Sequence, residues 1–194
     1  MAKRDKHHVC PFWVGYLLAN PLRALIQKPR KILAPHVASG MTVVDIGPGM
    51  GFFSLPLARL VGPSGRVISV DLQEKMLRVL MRRARRAGLA DRIETRVCGA
   101  ESLGVADLAG QIDFVLAFAV VHEVGDTSRL FSEIRGVLKP GGRVLFAEPK
   151  SHVSERGFEE SVSAARRSGL GKVDSLKIAR SYAALLEASP LERA

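Results

Sequence analysis

The sequence predicts a doubly wound α/β domain. Three observations carry that expectation: strand-like and helix-like patterns alternate from residue 42 onward, a glycine-rich turn joins the first strand to its helix, and Ile112 to Val120 is apolar enough to be a central strand. With 194 residues and 47% hydrophobic content, the chain can bury one such domain and has little room for another.

The first strand is expected over Thr42 to Ile46, with Asp45 near its end. A helix carrying Phe52, Phe53, Leu55, Leu57 and Leu60 follows the turn; its Pro56 is tolerated because few N–H groups of a first turn have partners. Gly62 to Gly65 is a turn, and Arg66 to Val70 a second strand ending at Asp71. Met76, Leu77, Leu80, Met81 and Ala84 recur at helical spacing over Gln73 to Ala87, which turns most of the intervening arginines to water. Gly88 stops that helix. Arg92 to Val97 is a third strand, followed by a loop through Gly110. Asp126 can cap a helix bearing Leu130, Phe131, Ile134, Val137 and Leu138, which ends at Lys139-Pro140-Gly141-Gly142 before a fifth strand over Arg143 to Ala147. Ser154 to Ser168 reads as a helix. Beyond it, Lys172 to Ile178 and Ser181 to Leu186 are strand-like, although propensity alone makes Ala183 to Glu187 look helical. Residues 1–40 form a separate segment, with Phe12, Trp13 and Tyr16 ahead of one or two helices interrupted by Pro29, and residues 41–194 form the domain itself.

The longest apolar run, Phe114 to Val121, is far short of the ~18 to 20 residues that span a bilayer, and the basic start of the chain lacks a clear signal-peptide pattern. Two cysteines cannot build a disulfide framework. Together these features point to the cytoplasm. The net charge of +10 raises the question of nucleic acid, but the arginine clusters, such as Arg82-Arg83 and Arg85-Arg86, lack interleaved aromatic residues that would stack bases. Arginines scattered over outer helix faces are more often simply solvated, and no feature sets an oligomeric state.

The chemistry concentrates in four places. Gly47-Pro48-Gly49-Met50-Gly51 lets a ligand lie against bare backbone at a helix start, where free N–H groups favour anionic atoms. Asp71, 20 residues beyond Gly51, can accept hydrogen bonds from ribose hydroxyls, and it can equally cap the next helix. Asp45 either braces the turn or compensates positive charge on a ligand. Finally, His122 follows the central strand, where an imidazole suits proton transfer near neutral pH but can also simply pack.

The G-x-G-x-G turn after Asp45, the D-x-V start of strand four ending at His122, and Leu138-Lys139-Pro140-Gly141-Gly142 together resemble the class I S-adenosylmethionine-dependent methyltransferases over about residues 42 to 150. That resemblance implies a Rossmann-like, mostly parallel seven-stranded sheet with helices on both faces and a final β-hairpin, and the aromatic residues Phe12, Trp13 and Tyr16 ahead of the core suggest a short N-terminal helical lid. It implies S-adenosylmethionine as cofactor, S-adenosylhomocysteine as product, and in-line transfer of a methyl group to a small-molecule acceptor. Cofactor contacts would fall on Asp45, Gly47, Gly49, Gly51, Asp71, Leu72, Ala100, Glu101 and Phe118. The acceptor would meet Trp13, Tyr16, His122, Glu148 and His152, with His122 as the catalytic candidate. No metal is expected. The asparagine- or aspartate-Pro-Pro-aromatic signature of amino-methylating nucleic-acid enzymes is missing after strand four, as is a Pro-Cys pair. RNA or protein methylation, and cofactor binding without catalysis, including nicotinamide binding, remain as alternatives.

Overall fold

A computed structural model describes residues 27–189, so Trp13 and Tyr16, with the lid expected of them, lie outside the described residues. A short helix α1 (Pro29–Leu33) precedes strand β1 (Thr42–Ile46). Then come α2 (Ser54–Leu60), β2 (Arg66–Asp71), α3 (Glu74–Arg86), β3 (Ile93–Val97), β4 (Ile112–Phe118), α4 (Thr127–Val137), β5 (Leu138–Pro149), α5 (Glu155–Arg167), β6 (Leu170–Ser175) and β7 (Ser181–Ala188). They build one seven-stranded sheet in the order β3-β2-β1-β4-β5-β7-β6. The first five strands are parallel, and β7 runs antiparallel to both β5 and β6. Strand order reverses beside β1, between β2 and β4, and in open α/β sheets such a switch point leaves a crevice at the strands' carboxyl ends.

Alternation of side chains along each strand divides the core in two. Val43, Val67, Phe114 and Leu116 join Leu57, Leu77 and Leu80 of α2 and α3 on one face. Val44, Ile68, Val115 and Phe146 join Phe131, Ile134 and Phe158 of α4 and α5 on the other. The long helices keep their expected limits because their ends are chemically marked. Asp126 accepts the Arg129 N–H at 2.9 Å and Ser154 accepts the Gly157 N–H at 3.1 Å, while Gly88 and Gly169 take left-handed φ of 66° and 83° just beyond their helices.

Three details differ from the sequence expectation. Regular helix α2 begins at Ser54, because residues 49–53 are still turn. Strand β4 stops at Phe118, two residues early, since Ala119 turns to φ 58°. The β5 ladder is already joined at Leu138, opposite Ile112, and its register shift absorbs the Gly-Gly pair before regular pairing resumes at Arg143. The strand expected over Ser181 to Leu186 is present as β7, although propensity alone makes its centre look helical: it lies buried between β5 and β6, where a helix could not complete either ladder. The stretch before β1 is also part of the domain from Leu33 onward: Leu33 and Val37 are buried in the core.

Candidate active site

The glycine turn takes its shape from what each glycine meets. Gly47, Gly49 and Gly51 all have left-handed φ, of 66°, 53° and 85°. A Cβ on Gly47 would collide with Val120 at 2.7 Å, and one on Gly51 would press on Leu80 at 3.0 Å. At Gly49 a Cβ would meet nothing within 4 Å. Gly47 thus lets the loop after β4 close on the turn, Gly51 lets α3 approach, and Gly49 alone offers bare backbone to open space.

That space is a cavity of about 750 Å³ along the carboxyl ends of β1, β2 and β4, within the size range of small-ligand sites. Asp45, Gly47, Gly49, Asp71, Leu72, Ala100, Glu101 and Phe118 line it. Gly51 does not; it stands behind the turn, against Leu80.

Asp71 ties the turn to α3. One carboxylate oxygen accepts the Gly49 N–H at 3.2 Å, and the other the Gln73 N–H at 2.8 Å. Burial pushes its carboxyl above the ordinary range, and these two bonds oppose the shift. Asp45 is 2% exposed and accepts the Ser54 hydroxyl at 2.6 Å. Burial lifts Asp45 to about 7, against the pull of Ser54 and helped by the neighbouring Asp71. Cys98 also borders the cavity, but burial raises its thiol to about 11, so it stays protonated and is no nucleophile near neutrality. Glu101 is largely exposed and lies 3.9 Å from the Arg129 guanidinium.

At the other end the site is made of side chains. His122 sits in a short turn, 121–123, and lines the cavity with His152, their rings 5.2 Å apart. Glu148 does not line it. Expected to meet the acceptor, it is instead 1% exposed and committed to the protein. One oxygen accepts the N–H groups of Val121 at 2.8 Å and His122 at 3.3 Å, and the other lies 2.5 Å from His122 Nδ1. This bond raises the His122 imidazole above its usual value, against burial.

Residues that sequence reasoning missed support this frame. Ser54, on the first turn of α2, is the partner that Asp45 needed. Glu133 accepts the Leu103 N–H at 2.8 Å and the Ser102 hydroxyl at 3.2 Å, holding the loop that bears Ala100 and Glu101. The Arg83 guanidinium donates to the Met50 carbonyl, bracing the glycine turn from α3. Only Ser54 had a signal, a small hydroxyl residue at the start of the helix following a buried acid. Among the described residues, no group of three or more His, Cys, Asp or Glu side chains is placed to hold a metal.

A family model described as a methyltransferase domain matches residues 38–180. The ubiquinone/menaquinone biosynthesis C-methyltransferase of Hahella chejuensis is 32% identical over 126 residues, covering 63% of this chain and 50% of that protein. Its counterpart in Pasteurella multocida is 36% identical over 112 residues, covering 58% and 41%. The chain thus matches about half the length of these curated relatives. Among solved structures, a SAM-dependent methyltransferase from Aquifex aeolicus has the same fold, with a TM-score of 0.83 at 20% identity over 93% of this chain and 100% of that one. Geranyl diphosphate C-methyltransferase from Streptomyces coelicolor, crystallised with Mg2+, geranyl diphosphate and S-adenosylhomocysteine, gives 0.66 at 19% identity over 84% and 80%. The chain belongs to the methyltransferase-domain family, and the cofactor implied by the resemblance in its sequence is S-adenosylmethionine. The site fits that group: Gly49 leaves room for a ligand against the backbone, and carboxylates face the same cavity at the ends of β1 and β2.

Proposed function

We propose that the chain transfers a methyl group from S-adenosylmethionine to a small-molecule acceptor bound beside His122. The observation that carries this reading is the Asp71 carboxylate, fixed by the Gly49 and Gln73 N–H groups at the lip of a cavity that ends at an imidazole. When bound, the cofactor supplies a methyl group already activated on a sulfonium sulfur, so the protein's task is placement and exclusion of water. Asp71 would accept the ribose hydroxyls, Asp45 would face the ammonium group, and Leu72, Ala100 and Glu101 would border the adenine. Phe118, packed on Phe53 with ring centroids 4.6 Å apart, gives the middle of the cavity an apolar wall.

The names of the quinone-biosynthesis relatives support an apolar acceptor. We place the chain in the cytoplasm, which the cysteine content and the lack of any described helix long and apolar enough to cross a membrane support. The N-terminal segment with Trp13 and Tyr16 would close over the acceptor. Deleting residues 1–20 is then expected to leave cofactor affinity intact and to abolish turnover.

Calorimetry with S-adenosylmethionine, S-adenosylhomocysteine and NAD tests the reading directly. The first two should bind and NAD should not; absence of heat with both sulfur compounds would overturn it. Methyl-labelled cofactor then separates acceptor classes, with label expected in low-molecular-weight products. Label in RNA, lost steeply as salt rises, would instead assign a role to the exposed arginines of α3, among them Arg82, Arg85 and Arg86.

A further inference from the structure

We propose that Glu148 is a positioning residue that holds His122 in the tautomer with the proton on Nδ1, leaving Nε2 as the group that takes the acceptor's proton during methyl transfer. This rests on the methyltransferase reading and adds to it a direction for the proton. It also implies that the acceptor atom carries a hydrogen in the bound state.

The argument starts with the hydrogen-bond count. A carboxylate has no donor, and Glu148 spends one oxygen on two backbone N–H groups that converge on it from the 121–123 turn. Its other oxygen faces Nδ1 at 2.5 Å, a distance that requires a proton between the two atoms. That proton belongs on the ring, because the carboxylate already serves as acceptor to two converging N–H groups and the imidazole is the member of the pair that carries an N–H. The neutral imidazole then has one free acceptor, Nε2, for which no partner is found among the described residues. The ring is 22% exposed where it borders the cavity, whereas the carboxylate behind it is 2% exposed. The arrangement thus runs from a buried anchor, through an oriented ring, to open space.

The backbone bonds matter as much as the side-chain bond. The same carboxylate that selects the tautomer also fixes the turn carrying the ring, so the imidazole cannot rotate or shift without breaking at least one of three contacts. Charged or titratable neighbours of the ring are Glu148 from β5, Glu123 from its own turn and His152 from the segment after β5. Both glutamates favour the imidazolium that forms when a proton arrives.

The step balances as follows. As the acceptor atom gains the methyl group, its bond to hydrogen breaks, the electron pair stays on that atom, and the proton passes to Nε2. The electron pair of the broken sulfur–carbon bond remains on sulfur as the neutral thioether. Imidazolium then returns the proton to water.

Long-range proton–nitrogen NMR of the full chain, labelled with 15N-histidine and saturated with S-adenosylhomocysteine, tests the assignment. The wild-type His122 signal should show protonated Nδ1 and bare Nε2 above its titration, with the inflection higher than that of free imidazole. Glu148→Gln should move the inflection down and mix the tautomers. A bare Nδ1 in the wild type, or a titration that Glu148→Gln leaves in place, would overturn the proposal. Should Glu148→Gln fail to fold, the wild-type tautomer alone decides. Failure of the methyltransferase reading would appear separately, as absence of any response to S-adenosylhomocysteine.

Discussion

At the β1–β2 end of the cavity the protein offers mostly backbone: a bare glycine, the N–H groups that converge on Asp71, and a turn whose φ angles only glycine adopts without strain. At the β4–β5 end it offers side chains held by other side chains, with Glu148 reaching across 26 residues to orient His122. The first end suits a ligand that does not vary, because backbone geometry tolerates few substitutions. The second can be altered at His122 and His152, which lie outside the strands, although Glu148 behind them is part of β5. On the proposed function, the cofactor would thus sit on the less mutable material and the acceptor on the more mutable.

Substitutions should separate the two ends. The largest effect is expected for His122→Gln, where turnover of an acceptor found by the labelling screen should fall by ~10²- to 10⁴-fold, typical for loss of a proton-transfer group. Calorimetry should show S-adenosylhomocysteine affinity preserved; a parallel loss of binding would mean that the two ends are not independent. Asp71→Ala should act in reverse. A hydrogen bond to a charged group is worth ~1.5 to 3 kcal/mol, so cofactor affinity should drop by roughly 10- to 150-fold.

The glycines sharpen the comparison from within. Both Gly47→Ala and Gly49→Ala incur the ~1 to 2 kcal/mol of a left-handed L-residue. Only Gly47→Ala adds a collision, with Val120 at 2.7 Å. Thermal melts should therefore show the greater loss for Gly47→Ala. Gly49→Ala should chiefly weaken cofactor binding, because its methyl group enters the cavity.

Asp45 supplies a pH test. Its folded value of about 7 lies above the ordinary 3.8, so the folded chain holds a proton that the unfolded chain releases. The resulting stability is complete below 3.8 and is lost as pH rises through about 7. The melting temperature of Asp45→Asn relative to wild type should climb across that window, and a flat difference would contradict the assignment. The smallest effect is expected for Glu101→Gln, whose exposed side chain faces Arg129 at 3.9 Å. Cofactor affinity should change by less than ~5-fold, as for other exposed pairs.

The β1–β2 end could be read almost entirely from sequence, because glycine spacing and a strand-ending acid are local signals with a local physical cause. Even so, the sequence could not divide the labour among the glycines: that Gly51 serves Leu80 rather than the ligand depends on a helix two elements later. Glu148 was legible as being near the site but not in its role, since its partners come from a turn created by the early end of β4. The strand at 181–188 was legible as strand-like, yet propensity alone pulled its centre toward helix. Alanine and leucine favour helix in isolation, and the two ladders that override them lie in other parts of the chain.

The insertion of β7 between β5 and β6 carries a consequence for the order of assembly. Glu148 lies in the ladder opposite Tyr182, so the strand that supports it gains its outer neighbour only from residues 181–188. A nascent polypeptide halted before that point would already contain the glycine turn and Asp71, yet nothing would clamp the far side of β5. Residues of the glycine turn would be synthesised before the strand that flanks Glu148, and pairing by residues 181–188 would complete the support beneath His122.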